Sequence, residues 1–278
     1  MYNISKPTHD FQNLLEQCVN DCRISREEML DFIPEIVAQA VSYDSKASAA
    51  ELYSIIQMTN IPFDKKRLVD LYRNHFTNKD KPIRNIYNEL ILSAKNRKCP
   101  FCSEGIVSEL DHYLPKKIED GFPEFSILPL NLVPCCSDCN SRKGEKIPEA
   151  ANMQFIHPYY DQVSNERWLY AKVKRNPSQE IDFVFYANPP ADWEELLKER
   201  LKYHFDVLAL NEIYGIKSAE YYSDIGSKIE KDAEEKGFQF VLDNLLEFAE
   251  SCEYNNKNSW RTAMYYALLE DSFWEENY

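Results

Sequence analysis

Glycine is scarce, at 6 of 278 residues, where an ordinary chain carries roughly 7%. That shortage argues against a turn-rich sandwich or barrel and favours helices. No apolar run approaches the ~20 residues that a membrane-spanning helix needs. The opening residues, MYNISKPTHD, lack the apolar stretch of a secretion signal. The expected setting is therefore the cytoplasm, without membrane contact. Excess positive charge is missing too: 32 Lys and Arg face 46 Asp and Glu, a net charge of −14. This is the wrong sign for a protein that grips nucleic acid by a generally basic surface. Residues 191–278 hold 9 basic and 20 acidic residues, most of that imbalance. They read as solvated helix faces rather than as a docking surface for a basic partner.

What is present describes a folding chain. Hydrophobic residues make up 44% and charged residues 28%, which excludes a disordered tail or a fibrous repeat. The expected class is α+β, mainly helical. Apolar residues recur at helical spacing from Phe11 to Cys22, then from Met29 to Val37 after a capping box of Ser25 and Glu28. Pro34 inside that pattern predicts a kink or early stop. Further helices are expected around residues 47–58 and after a cap at Asp64. Ile83, Ile86, Tyr87, Leu90 and Ile91 form one amphipathic stripe. Periodicity collapses between Cys99 and Pro148. Beyond it, Trp168–Val173 and Ile181–Tyr186 flank Asn176-Pro177-Ser178-Gln179 as a β-hairpin, and helices resume at Trp193. Three regions follow: a helical one over 1–80, a cysteine-bearing one over 81–150, and a hairpin with acidic helices over 151–278.

Four of the eight cysteines form two C-x₂-C knuckles, Cys99-Pro-Phe-Cys102 and Cys136-Ser-Asp-Cys139, separated by 33 residues. Each knuckle turns two sulfurs the same way, and four soft thiolates select Zn²⁺ in a closed, structural site. A thioredoxin-like redox pair would explain one knuckle but not both. Cys135 reads as a buried thiol, because only Cys136 keeps the two-residue gap to Cys139. Cys18, Cys22 and Cys252 read as packing.

Between and after the knuckles stand Leu110-Asp111-His112-Tyr113-Leu114-Pro115-Lys116, Asn131-Leu132-Val133-Pro134 and Asn140-Ser141-Arg142-Lys143-Gly144. This stretch, about 50 of the 278 residues, resembles the HNH, or His-Me finger, endonucleases. It matches the subgroup whose ββα-metal core is braced by a four-cysteine zinc, with Asn140 in the third position where the family name has His. The resemblance implies that Asn131 orients the loop carrying His112. The residues carry the chemistry of phosphodiester hydrolysis independently. His112 can take a proton from water at physiological pH. Asp111 and Asn140 offer hard oxygen ligands for Mg²⁺ or Mn²⁺. Arg142 and Lys143 can meet the phosphate backbone, with DNA expected ahead of RNA. Neighbours on a strand point to opposite faces, so the strand must end or twist at Asp111 and His112 for both to serve one site.

His157-Pro158-Tyr159-Tyr160-Asp161 could fold back over that site or form a rigid packing turn. His204 reads as a packed histidine, and His9 and His75 carry no signal. Lys172, Lys174 and Arg175 on the hairpin alternate with aromatics, as a nucleic-acid flank or as a plain sheet patch. The layout as a whole resembles HNH subunits of bacterial anti-phage systems of the Septu type, which implies an ATPase partner. The rival is a zinc-organised module that binds nucleic acid or protein without catalysis.

Overall fold

In a computed structural model of the chain, residues 1–175 and 181–271 are described. They are mainly helical and divide into two compact units, one of residues 2–162 and one beginning at Val163.

The first unit opens with α1 (Phe11–Asn20), α2 (Arg26–Asp31) and α3 (Ile33–Ser48). Asp10 caps α1 by accepting from the Asn13 amide, which satisfies one of the first-turn donors that no helix can pair internally. Pro34 stops one helix and opens the next: it lies in the first turn of α3, where its missing N–H is not needed. Ser25 does not form the expected capping box. It sits at φ 53° and makes no side-chain cap bond, so α2 starts from a left-handed turn. The helix expected around 47–58 is likewise replaced by the end of α3, a left-handed Ala50 and a single 3₁₀ turn, Leu52–Ser54.

Asp64 accepts from the Lys66 amide at 2.9 Å, but the residue that caps α4 (Lys66–Asp70) is Lys65, which makes no side-chain cap bond. This helix widens into a π-helical segment, Leu71–Phe76, closed by the Thr77 amide on the Tyr72 carbonyl at 3.0 Å. Then come α5 (Arg84–Leu92), β1 (Glu109–His112), β2 (Leu132–Cys135) and α6 (Ser137–Lys143). β1 and β2 pair antiparallel, with Asp111 opposite Val133 and His112 opposite Leu132. β2 is buried along its whole length, so this two-stranded ribbon is sealed by surrounding helices and loops.

In the second unit, β3 (Leu169–Arg175) and β4 (Ile181–Ala187) form the expected hairpin. The turn expected at Asn176–Gln179 lies outside the described residues. The hairpin is followed by α7 (Glu195–Val207), α8 (Leu210–Lys236), α9 (Phe238–Asn255) and α10 (Trp260–Leu269). Phe183 and Phe185 of β4 meet Tyr222 and Tyr214 of α8 edge to face, a favourable arrangement for aromatic quadrupoles. Tyr265 of α10 stacks on Phe248 of α9. Asn258 ties the start of the hairpin down, accepting from the Trp168 and Leu169 amides at 2.8 and 3.1 Å and donating to the Glu166 carbonyl at 2.7 Å. No helix among the described residues is long and apolar enough to cross a membrane.

Candidate metal centre and the adjoining polar site

The first knuckle is a tight turn built by its own backbone. The Cys99 amide donates to the Gly105 carbonyl at 2.8 Å, the Ser103 amide to the Cys99 carbonyl at 2.7 Å, and the Gly105 amide to Cys102 Sγ at 3.3 Å. Gly105 is dictated by space rather than by dihedral angle: a Cβ there would lie 2.4 Å from Cys136 Sγ. The second knuckle uses the entry to α6. Cys136 is the N-cap residue, and Cys139 lies inside the first turn.

All four ligand sulfurs lie within 4.8 Å of one another and all four cysteines are buried. Cys102 and Cys136 Sγ are 3.9 Å apart. A tetrahedral ion with Zn–S bonds near 2.3 Å requires sulfurs about 3.8 Å apart. The donor set therefore fits a structural metal such as zinc. Bonds from the other three thiols hold the Cys102 thiol well below its ordinary range, while burial pushes Cys99 up. Cys135 is a buried thiol outside the cluster.

Beside the knuckles, β1 ends at His112, and the next amide, Tyr113, donates to the Asn131 carbonyl at 2.8 Å. Asn131 is fully buried and spans this exit loop. Its Oδ1 accepts from the Leu114 amide at 2.8 Å, and its Nδ2 donates to the carbonyls of Leu114 and Phe125 at 3.0 and 3.3 Å. The amide thus fixes where His112 leaves the strand.

The His112 ring has a defined tautomer. Nε2 lies 2.8 Å from the Ser126 carbonyl, which can only accept, so Nε2 carries the proton and Nδ1 the lone pair. Lys116 Nζ donates to Nδ1 at 3.2 Å. The Tyr72 ring meets the imidazole edge to face at 4.5 Å, delivered by the π-helical segment. Burial, then the Lys116 charge, push His112 well below its ordinary value, so it is neutral at physiological pH.

Asp111 is also buried, and the Lys116 and Lys143 charges act on it as they act on His112. Its oxygens lie 3.2 and 3.0 Å from Lys143 Nζ, which also donates to the His112 carbonyl at 2.8 Å. Burial pushes the Asp111 carboxyl up, against the opposing pull of Lys143. Asn140, half-buried on α6, precedes Lys143 by three residues, so the two are neighbours on one helix face.

The sequence puts Lys143 beside Arg142 against phosphate; the structure instead buries it. Lys143 is the last residue of α6, and its side chain turns inward to the buried Asp111 carboxylate. Arg142 is half-buried. Lys116 was the residue missed, although its spacing of four from His112 stands in the sequence; Tyr72 carries no sequence signal at all. Segment 157–161 packs back against the motif: His157 is buried, stacks on Tyr113 at 4.2 Å, and has its backbone amide held by Asp161 at 2.6 Å, and the Tyr159 hydroxyl donates to the Leu132 carbonyl at 2.7 Å. His204 is buried in α7. His75, silent in the sequence, lies 3.5 Å from Cys22.

Compared with known proteins, the chain is 28% identical to protein ea31 of Escherichia phage lambda, over 98% of this chain and 99% of that protein. It is 32% identical to the Septu protein PtuB of Bacillus thuringiensis over 80 residues, 27% of this chain and 29% of that protein. No family model matches the chain, and no solved structure matches it. The chain is therefore similar along its length to a phage protein and, over a shorter stretch, to a Septu protein.

Proposed function

We propose that this chain is a metal-dependent endonuclease of the HNH kind, hydrolysing phosphodiester bonds in nucleic acid, with DNA ahead of RNA. The observation that carries the reading is the state of His112. Its proton is committed to the Ser126 carbonyl, and its basic nitrogen is held at the strand end by the Asn131 clamp. A neutral imidazole in that orientation can accept a proton from an attacking water at Nδ1 once Lys116 moves aside. Asp111 and Asn140 would hold Mg²⁺ or Mn²⁺, which would stabilise charge on the phosphate and leaving oxygens when bound. The zinc that Cys99, Cys102, Cys136 and Cys139 can hold would keep β1, β2 and α6 in register and take no part in the chemistry.

Similarity to a Septu protein and to a phage protein supports a setting in the contest between bacteria and phage. It also supports a protein partner, which the Septu resemblance makes an ATPase. The net charge of −14 agrees with this, because such a surface holds nucleic acid weakly by itself.

One observation favours a second reading, a zinc-organised binding module without catalysis: Asp111 is paired with Lys143 as a purely structural carboxylate would be. Cleavage of plasmid DNA and of RNA with Mg²⁺ or Mn²⁺, wild type against His112→Ala, separates the two. The expected result is a rate loss of ~10²–10⁴-fold in the variant with unchanged zinc content. Equal rates, or no cleavage by the wild type with its partner present, would refute the nuclease reading.

A further inference from the structure

Lys143 has the surroundings of a bound metal ion. Its Nζ touches three oxygens, both of the Asp111 carboxylate and the His112 carbonyl, at 2.8–3.2 Å. The side chain is 1% exposed. Nζ also lies 6.0 Å from the ring centres of Tyr113 and Phe155. Carboxylate and carbonyl oxygens are the hard donors that Mg²⁺ and Mn²⁺ select. We propose that the Lys143 ammonium occupies the divalent-cation position on Asp111 as a built-in competitor, and that the cation binds by displacing it. This rests on the nuclease reading above, in which Asp111 is a cation ligand.

Charge favours an exchange. A buried, ionised carboxylate left without a counter-charge costs several kcal/mol. The ammonium lies against both Asp111 oxygens, so a divalent ion taking that position would meet strong repulsion from it. The exit is built in. Lys143 ends α6, and Gly144 follows at φ 59°, so the side chain can swing away without unwinding a helix turn. The consequence is a weakened apparent affinity for metal: part of the cation's binding energy is spent on breaking the pair. Wherever nucleic acid or a partner draws Lys143 outward, cation binding strengthens in proportion.

The test is titration of the full, zinc-loaded chain with Mn²⁺, followed by the loss of the free-ion electron paramagnetic resonance signal. Lys143→Met is expected to bind at least tenfold more tightly than wild type, Lys143→Arg no more tightly, and Asp111→Asn far more weakly. Because the Met variant leaves a buried charge and can fail to fold, a second measurement uses the native chain. Acetic anhydride labelling read by mass spectrometry should find Lys143 protected without Mn²⁺ and reactive with it. If the wild type binds Mn²⁺ through Asp111 while Lys143 stays protected and the Met variant binds no more tightly, the competitor role is overturned and the nuclease reading survives. If no Mn²⁺ binding depends on Asp111 in either chain, the cation reading falls and takes this role with it.

Discussion

The two units differ in what organises their interiors. Residues 2–162 hold the four-cysteine cluster beside short strands, with Asp111, His112, Glu124, Asn131, Lys143 and His157 among their buried polar groups. The unit that starts at Val163 is a hairpin covered by helices, with aromatic contacts running from β4 to α8 and between α9 and α10. The second unit buries polar groups as well, among them Asn258 and Thr262, and losing one such contact acts on its immediate neighbours. A metal cluster joins distant parts of the chain through one ion and depends on each ligand. Damage at the cluster should therefore spread through residues 99–144, and damage to a polar contact of the second unit should stay local.

The largest expected effect tests that contrast directly. Cys139→Ser removes a thiolate from the cluster, and Gly105→Ala drives a methyl into Cys136 Sγ. Each should abolish or lower zinc content and raise amide exchange across residues 99–144, because the cluster ties the two ends of that segment together. Exchange in α8, α9 and α10 should hardly change. Equal loosening of both units would break the comparison.

Next is Asn258→Ala, which orphans the amides of Trp168 and Leu169. At ~1–3 kcal/mol per buried unsatisfied group, urea denaturation should show a loss of about 2–6 kcal/mol. Exchange should rise at the hairpin and leave the cysteine segment unchanged. A loss well below 1 kcal/mol would show that the second unit tolerates broken polar contacts better still.

Smallest is Glu124. Burial raises its carboxyl from 4.5 to about 7. The native state then keeps a proton that the unfolded state has lost between these two values, so stability falls as pH rises through that window. The full swing is at most about 3 kcal/mol. Glu124→Gln should flatten stability between pH 4.5 and 7, read by thermal melts at stepped pH. A curve identical to wild type would remove Glu124 from the charge-sensitive core.

What the sequence discloses follows from how local each signal is. The cysteine knuckles are legible because chain geometry alone brings Cys99 to Cys102 and Cys136 to Cys139, and two such pairs can share a single ion. The hairpin and α5 are legible from periodicities of 2 and 3.6. Asn131 was readable only through resemblance, since its three bonds reach Leu114 and Phe125 across a loop. The inward turn of Lys143 was not readable: a lysine in the last turn of a helix normally faces water, and only the burial of Asp111 reverses that preference. The failed helix at 47–58 has the same origin, because helical propensity there loses to the left-handed turn at Ala50.

The π-helical turn at Leu71–Phe76 bears on how this protein can be cut. It lays Tyr72 on the His112 ring, and the Leu68 carbonyl just before it accepts from the Ser126 hydroxyl at 2.5 Å, on the residue whose backbone orients His112. A fragment starting at residue 81 would keep all four knuckle cysteines and every motif residue yet lose the wall behind its imidazole. The cysteine-bearing segment is not a portable cassette: grafting or truncation has to begin upstream of Leu68.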